Sequence, residues 1–187
     1  MSEKRTWKKK LLIAAGVLVG LFVALILGGY LISPAIELET HARLDAPPEA
    51  IHPHLDELEG LRAWWGRAAE EFPEGMPAMT IEHRGGPTQG EGMQIAFVAD
   101  GKTAETWVVV ESDPPSKVVY DVDFQAFVVR RTLTLTPEAD GATLVTWSET
   151  GTIDRPLMRY MTLMPQQVIL DNFNAALRAL GAVSKPE

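Results

Sequence analysis

Leu11 to Ile32 runs for 22 residues without a charged side chain, LLIAAGVLVGLFVALILGGYLI. Such a run has to satisfy its own backbone hydrogen bonds wherever water is excluded, and a helix does so within one segment. At about 1.5 Å per residue it makes a rod of about 33 Å, close to the hydrocarbon thickness of a bilayer. Lys4, Arg5, Lys8, Lys9 and Lys10 precede the run, while Glu37 and Glu39 follow it. The positive-inside bias then leaves the N-terminus in the cytoplasm and exports the rest, to the periplasm in a Gram-negative cell. Trp7 and Tyr30 fall near the two interfaces, where amphipathic rings are favoured. Ser33-Pro34-Ala35 has the small-x-small form of a signal-peptidase site, but the apolar core exceeds the roughly 7–15 residues of a signal peptide. The expected organisation is a basic cytoplasmic segment at 1–10, a single transmembrane helix at 11–32 and one domain at 36–187. Gly16-x-x-x-Gly20 permits close packing of two such helices, although Gly is common in spans in any case.

The remainder has a different charge. Residues 1–35 sum to +4 and residues 36–187 to −12. A domain that acidic is a poor polyphosphate binder, so nucleic acid is not an expected partner. The chain has no Cys, which removes disulfides, thiolate metal sites and a cysteine nucleophile. The four histidines, His41, His52, His54 and His83, do not fall at zinc-ligand spacing, and no HExxH, GxSxG or phosphate-binding Gly loop is present. No cofactor or metal is expected.

Periodicity divides 36–187 into alternating and helical parts. Ile36–Leu44 reads as a strand. Asp45-Ala46-Pro47-Pro48-Glu49 is a helix-start signal, followed by a short helix to about Leu55 and a second from Asp56 to Trp65, with Pro53 flawing the first. A Gly/Pro/Glu-rich loop comes next. From Met79 to Thr150 the chain reads as an antiparallel meander, with a tight hairpin at Asp100-Gly101 and turns at Asp113–Ser116 and Pro137–Gly141. Met158, Met161 and Met164 recur at spacing three before Pro165. Ile169, Phe173, Ala176, Leu177 and Leu180 form a stripe on a final helix that Gly181 is placed to cap. A strand, two short helices, a meander and a long C-terminal helix make an α+β fold in which the helix buries its stripe against the sheet.

Four segments carry a family resemblance: ETHARLDAPPEAI (39–51), VVVESDPPSKVVYDVDF (108–124), TLTPEADGATLVTWSETG (134–151) and RPLMRYMTLMPQQVILDNFNAALRAL (155–180). In this order they resemble the START-like, helix-grip (SRPBCC) superfamily, and within it the bacterial polyketide cyclase/dehydrase-like group. The resemblance implies a curved antiparallel sheet around the C-terminal helix and an apolar cavity for a hydrophobic small molecule or lipid. It does not imply one reaction, so function has to be argued from the site. His52-Pro53-His54 stands where the group has aromatic and aliphatic residues, and Trp64-Trp65 condenses a more widely spaced tryptophan motif.

Alternation assigns the inward face. Trp107, Val109, Val118, Tyr120 and Val122 turn inward, as do Phe127, Val129, Leu133, Leu135, Val145 and Trp147. A short hairpin loop sets Leu135 opposite Thr143, which makes Arg131 and Glu149, both inward, diagonal neighbours beside Trp147. Two buried charges must pair or reach water. The favoured reading is an ion pair with Arg131 stacked on Trp147; the other is a polar handle on which Arg131 grips a ligand carboxylate, carbonyl or phosphate. Trp65, Trp107, Tyr120, Phe127, Trp147 and Phe173 are the candidate apolar wall, and Met161 a candidate lip, although ordinary packing of a helix onto the sheet is the favoured reading of the methionines. The leading expectation is a membrane-anchored extracytoplasmic binding domain rather than an enzyme. The alternatives are a cyclase- or hydratase-type enzyme, with Glu149 as general base and Arg131 stabilising an enolate, and an interaction module for an envelope protein.

Overall fold

The computed structural model describes residues 3–72 and 79–185. The Gly/Pro/Glu-rich loop expected after the second short helix falls mostly at 73–78, outside the described residues. The chain divides into two compact units.

One unit joins the N-terminal helix to a later segment at 153–164. Helix α1 (Glu3–Tyr30) contains a stretch, Lys10–Tyr30, long and apolar enough to cross a membrane, a test that an N-terminal signal sequence passes equally. Its partner in the unit is a 3-10 helix, Pro156–Leu163, started by proline at its first position.

The other unit holds the sheet and the remaining helices. Seven antiparallel strands run β1 (Ala35–Leu44), β2 (Thr80–Gly85), β3 (Gln94–Ala99), β4 (Lys102–Asp113), β5 (Lys117–Asp123), β6 (Val128–Pro137) and β7 (Thr143–Thr152). Their order in the curved sheet is β1-β7-β6-β5-β4-β3-β2, so β2 to β7 form a meander and β1 closes on its last strand. The expected hairpin between β3 and β4 forms at Asp100-Gly101, both at positive φ, which matches the twist of the flanking strands. Pro53 does not merely kink a helix. It ends α2 (Pro48–Ile51) and starts α3 (Pro53–Asp56), because its ring is accommodated at a first turn and not in an interior. Helix α4 (Leu58–Ala68) and the long α5 (Gln166–Val183) complete the unit. The stripe on α5 is buried at Phe173, Ala176, Leu177 and Leu180, and α5 packs on α4 and β1.

Two details differ from the sequence reading. The β6–β7 hairpin pairs Pro137 with Thr143 and Leu135 with Val145, two residues from the expected register. Strand β6 runs on to Pro137, and the Glu138 amide closes the turn on the Ala142 carbonyl. A shift of two preserves every inward assignment but changes the partners. Second, Gly181 does not cap α5. The helix continues to Val183, and a Cβ on Gly181 would stand 3.0 Å from Leu44 Cδ2, so glycine serves here for close approach to β1.

Candidate functional site

The corrected register places Arg131 directly opposite Glu149 on one side and Tyr120 on the other. Tyr120, Arg131 and Glu149 therefore form a row across β5, β6 and β7, on the face that turns to the core. Alternation makes this row unavoidable once Val129, Leu133, Val145 and Trp147 are buried.

The charges are paired as the sequence suggested. Arg131 Nε donates to Glu149 Oε1 at 2.5 Å, and both side chains are about 95% buried. Trp147 Nε1 donates weakly to the same oxygen at 3.4 Å. The guanidinium is held between two indoles, with Cζ 4.2 Å from the Trp107 ring centroid and 4.8 Å from that of Trp147. Desolvated cation–π contacts of this kind are worth about 2 kcal/mol and offset part of the cost of taking the ion pair out of water.

A third charged group was missed by the sequence reading. Glu105 on β4 is buried and shares the odd parity of Trp107 and Val109, a signal sufficient to turn it inward. Burial raises its pKa above the ordinary carboxylate value; the nearby Arg131 charge and the Trp107 indole pull it back down, and Glu149 pushes it up. Tyr120 donates from its hydroxyl to the Leu55 carbonyl, and burial keeps its phenol protonated well beyond the usual range. One guanidinium thus has two buried carboxylates and a phenol for neighbours.

Aromatic rings surround this polar row. Trp147 stacks on Phe173 of α5 at 4.6 Å with planes 12° apart. Trp107 meets Phe97 at 4.6 Å, Tyr120 at 5.1 Å and Trp65 at 5.3 Å. Trp64 is wholly buried, and its Nε1 donates to the Ala176 carbonyl at 2.7 Å, tying α4 to α5. Of the neighbouring tryptophans, Trp65 is half-buried and leans on Phe72 and Phe97. The rings lie in contact, so a ligand seated among them has to part some of those contacts, the Trp147–Phe173 stack foremost.

Polar accounting is incomplete in this cluster. Among the described residues, Trp65 Nε1 and Arg131 Nη1 are buried donors without a hydrogen-bond acceptor, and Trp107 Nε1 has only the Glu105 carboxylate near it. Glu105 lies near the Trp107 indole without closing a hydrogen bond of good geometry. Buried donors are rarely left unmatched, and each costs about 1–3 kcal/mol.

Seven of the nine residues singled out in the sequence meet here: Trp65, Trp107, Tyr120, Arg131, Trp147, Glu149 and Phe173. Phe127 stands apart, half-buried in the β5–β6 turn against Phe124 at 5.2 Å. Met161 belongs to the other unit, on the 3-10 helix, and is exposed. Sequence reasoning also missed an open surface pocket of about 330 Å³ beside α2 and α3, with His52, Asp56, Glu57 and Pro115 in its lining. There His52 Nδ1 stands 3.4 Å from Asp56 Oδ1, and Ser112 Oγ donates to Asp56 Oδ2 at 3.0 Å.

Comparison with known proteins agrees with this fold. The family described as polyketide cyclase / dehydrase and lipid transport matches residues 35–184. None of the curated proteins matches the chain. Among solved structures, a protein from Chromobacterium violaceum is similar at 22% identity and a TM-score of 0.58, covering 81% of this chain and 98% of its own. A major latex-like protein from Panax ginseng is similar at 13% identity and a TM-score of 0.62, covering 82% and 99%. A Staphylococcus aureus protein of unknown function is similar at 11% identity and a TM-score of 0.61, covering 81% and 94%. At these identities the likeness is one of fold.

Proposed function

The chain belongs to the polyketide cyclase, dehydrase and lipid transport family, and on that footing we propose that its sheet-and-helix unit binds one hydrophobic molecule that carries a hydrogen-bond acceptor or an acid group. The observation that carries this reading is a set of under-satisfied buried donors set among aromatic rings: among the described residues Arg131 Nη1 and Trp65 Nε1 have no acceptor, and Trp107 Nε1 has only Glu105 near it. Apolar burial against the rings supplies affinity, and the donors select the end of the ligand that is polar. A fatty acid or a ring ketone has that chemistry; a plain alkane does not. Binding separates Phe173 from Trp147, and the acceptor takes up Arg131 Nη1 while Nε stays on Glu149.

The proposal includes location. The cations before the apolar run support a cytoplasmic N-terminus, with α1 crossing the membrane from Leu11 to Tyr30 and residues 36–187 working outside the cytoplasm, close to where apolar ligands reside. One feature favours a second, enzymatic reading with an altered assignment. Glu149 Oε1 is already engaged by Arg131 and Trp147, whereas Glu105 is a buried carboxyl held above its ordinary pKa beside the same guanidinium. A proton-transferring role would fall to Glu105.

The test is titration of the detergent-solubilised full chain with a radiolabelled fatty acid and with a radiolabelled alkane of the same chain length. Saturable binding of one equivalent of the acid, and none of the alkane, is expected. Trp107→Phe removes one donor while keeping an aromatic ring under the guanidinium and the Arg131–Glu149 hydrogen bond, and should weaken the acid about tenfold, the loss of a hydrogen bond to a charged group. Equal, unsaturable uptake of both probes would overturn the reading.

A further inference from the structure

We infer that the 3-10 helix Pro156–Leu163 is a membrane-embedded foot, lying in the lipid interface against the last turns of α1. The inference rests on the proposal that α1 spans a membrane, and adds a second contact surface to it.

The packing within this unit is specific. Tyr160 donates from its hydroxyl to the Leu25 carbonyl at 3.0 Å. Leu25 lies five residues before the end of α1 at Tyr30, which at about 1.5 Å per residue is about 7–8 Å inside the apolar stretch. A Cβ on Gly28 would collide with the Tyr160 hydroxyl, and one on Gly29 would stand 2.6 Å from the Pro156 carbonyl carbon. The Gly28-Gly29 pair is thus a notch into which the 3-10 helix fits. The Arg159 guanidinium lies 5.6 Å from the Tyr30 ring centroid, and its Nε donates to the Ile153 carbonyl. Wherever the last turns of α1 reside, this segment resides with them.

The composition of the segment suits only one such environment. With three residues per turn, a 3-10 helix sorts its side chains into three rows. Pro156, Arg159 and Thr162 form one row; Leu157, Tyr160 and Leu163 form the second; Met158, Met161 and Met164 line up as the third. Two rows are therefore apolar or amphipathic. Leu157, Met161, Leu163 and Met164 are 42–65% exposed. Four large apolar side chains displayed beside a lipid-length helix match the pattern of an interfacial helix, which buries its apolar face about 5–10 Å into the headgroup and acyl boundary. The occupant of this face is the bilayer itself.

The chain has no Cys, so single-cysteine labelling is clean. The full chain carrying Met161→Cys or Met164→Cys is labelled with an environment-sensitive dye in phosphatidylcholine/phosphatidylglycerol vesicles. Leu18→Cys, in the middle of α1, reports on the span. The foot predicts quenching of both methionine-site dyes by doxyl groups near the lipid headgroup, and iodide quenching reduced roughly threefold from that of free dye. Gly28→Leu/Gly29→Leu should return the Met161-site dye to iodide while the Leu18-site dye stays in lipid. Full iodide access at both methionine sites, with Leu18 still in lipid, overturns the foot alone. Iodide access at Leu18 as well overturns the span, and the foot with it.

Discussion

Glu149→Gln is the most informative single substitution in the core. Arg131 and Glu149 are 5% and 6% exposed, so water does not screen them and the surface discount on ion pairs does not apply. Removing one partner of a buried pair costs about 3–5 kcal/mol, because the other charge stays behind in a low-dielectric site. Gln retains an oxygen for Arg131 Nε, and Glu105 still opposes part of the charge, so the loss should lie near 3 kcal/mol. Glu149→Leu removes both oxygens and should approach 5 kcal/mol. For a unit of this size 1 kcal/mol moves Tm by about 2–4 °C, so Glu149→Gln should lower it by about 6–12 °C. Trp64, Trp65, Trp107 and Trp147 all lie in or against the cluster, so near-ultraviolet circular dichroism during a thermal melt reads its loss directly. Arg131→Met/Glu149→Leu removes both charges and should recover most of the loss. If Glu149→Gln melts within 2 °C of the parent, or the double variant is worse than either single change, the pair is not a desolvated unit and the argument fails.

Three further outcomes follow from the same geometry. Trp64→Phe removes the Nε1 bond to the Ala176 carbonyl and leaves a void between α4 and α5, for an expected loss of about 2–4 kcal/mol by chemical denaturation. Gly60→Ala drives a Cβ into the Pro53 carbonyl and within 2.8 Å of His54 Cα; overpacking against backbone should cost about 1–3 kcal/mol despite the gain in helix propensity, and a stabilised variant would contradict the close approach of α3 and α4. Glu105 binds its proton more tightly in the native state than in the unfolded chain, so its stabilising effect is complete below the ordinary carboxylate pKa and is lost as pH rises through the raised native value. Glu105→Gln should therefore leave Tm unchanged in acid and raise it at neutral pH, in a pH series of melts.

Alternation carried most of the sheet. Val118, Tyr120, Val122, Val129, Leu133 and Trp147 are buried as their parity requires, because a period of two leaves no other way to bury one face. It also brought Arg131 and Glu149 to the core, though not to each other. Their direct pairing depends on where β6 ends, which the turn Glu138–Ala142 decides through its own hydrogen bonds. Glu105 obeyed the same parity and was passed over because a charged residue flanked by threonine and alanine reads as a solvated position until its neighbours are known. Gly181 showed the opposite problem: a glycine near a helix end looks like a cap, and only the proximity of Leu44 reveals its role. The association of 153–164 with α1 had no local signal, since Tyr160 and Leu25 lie 135 residues apart in sequence. The family resemblance supplied the helix-grip architecture, and the match over residues 35–184 bears it out.

The central claim is that the aromatic interior around Arg131 holds one apolar molecule by its acceptor end. Native mass spectrometry of the full chain, stripped of its detergent micelle, reads this directly. The account predicts a single small-molecule adduct on the parent chain that is lost in Arg131→Met/Glu149→Leu, with both chains folded by circular dichroism. A bare polypeptide mass in the parent, even after preincubation with a long-chain fatty acid, or an adduct retained undiminished in the double variant, would contradict it.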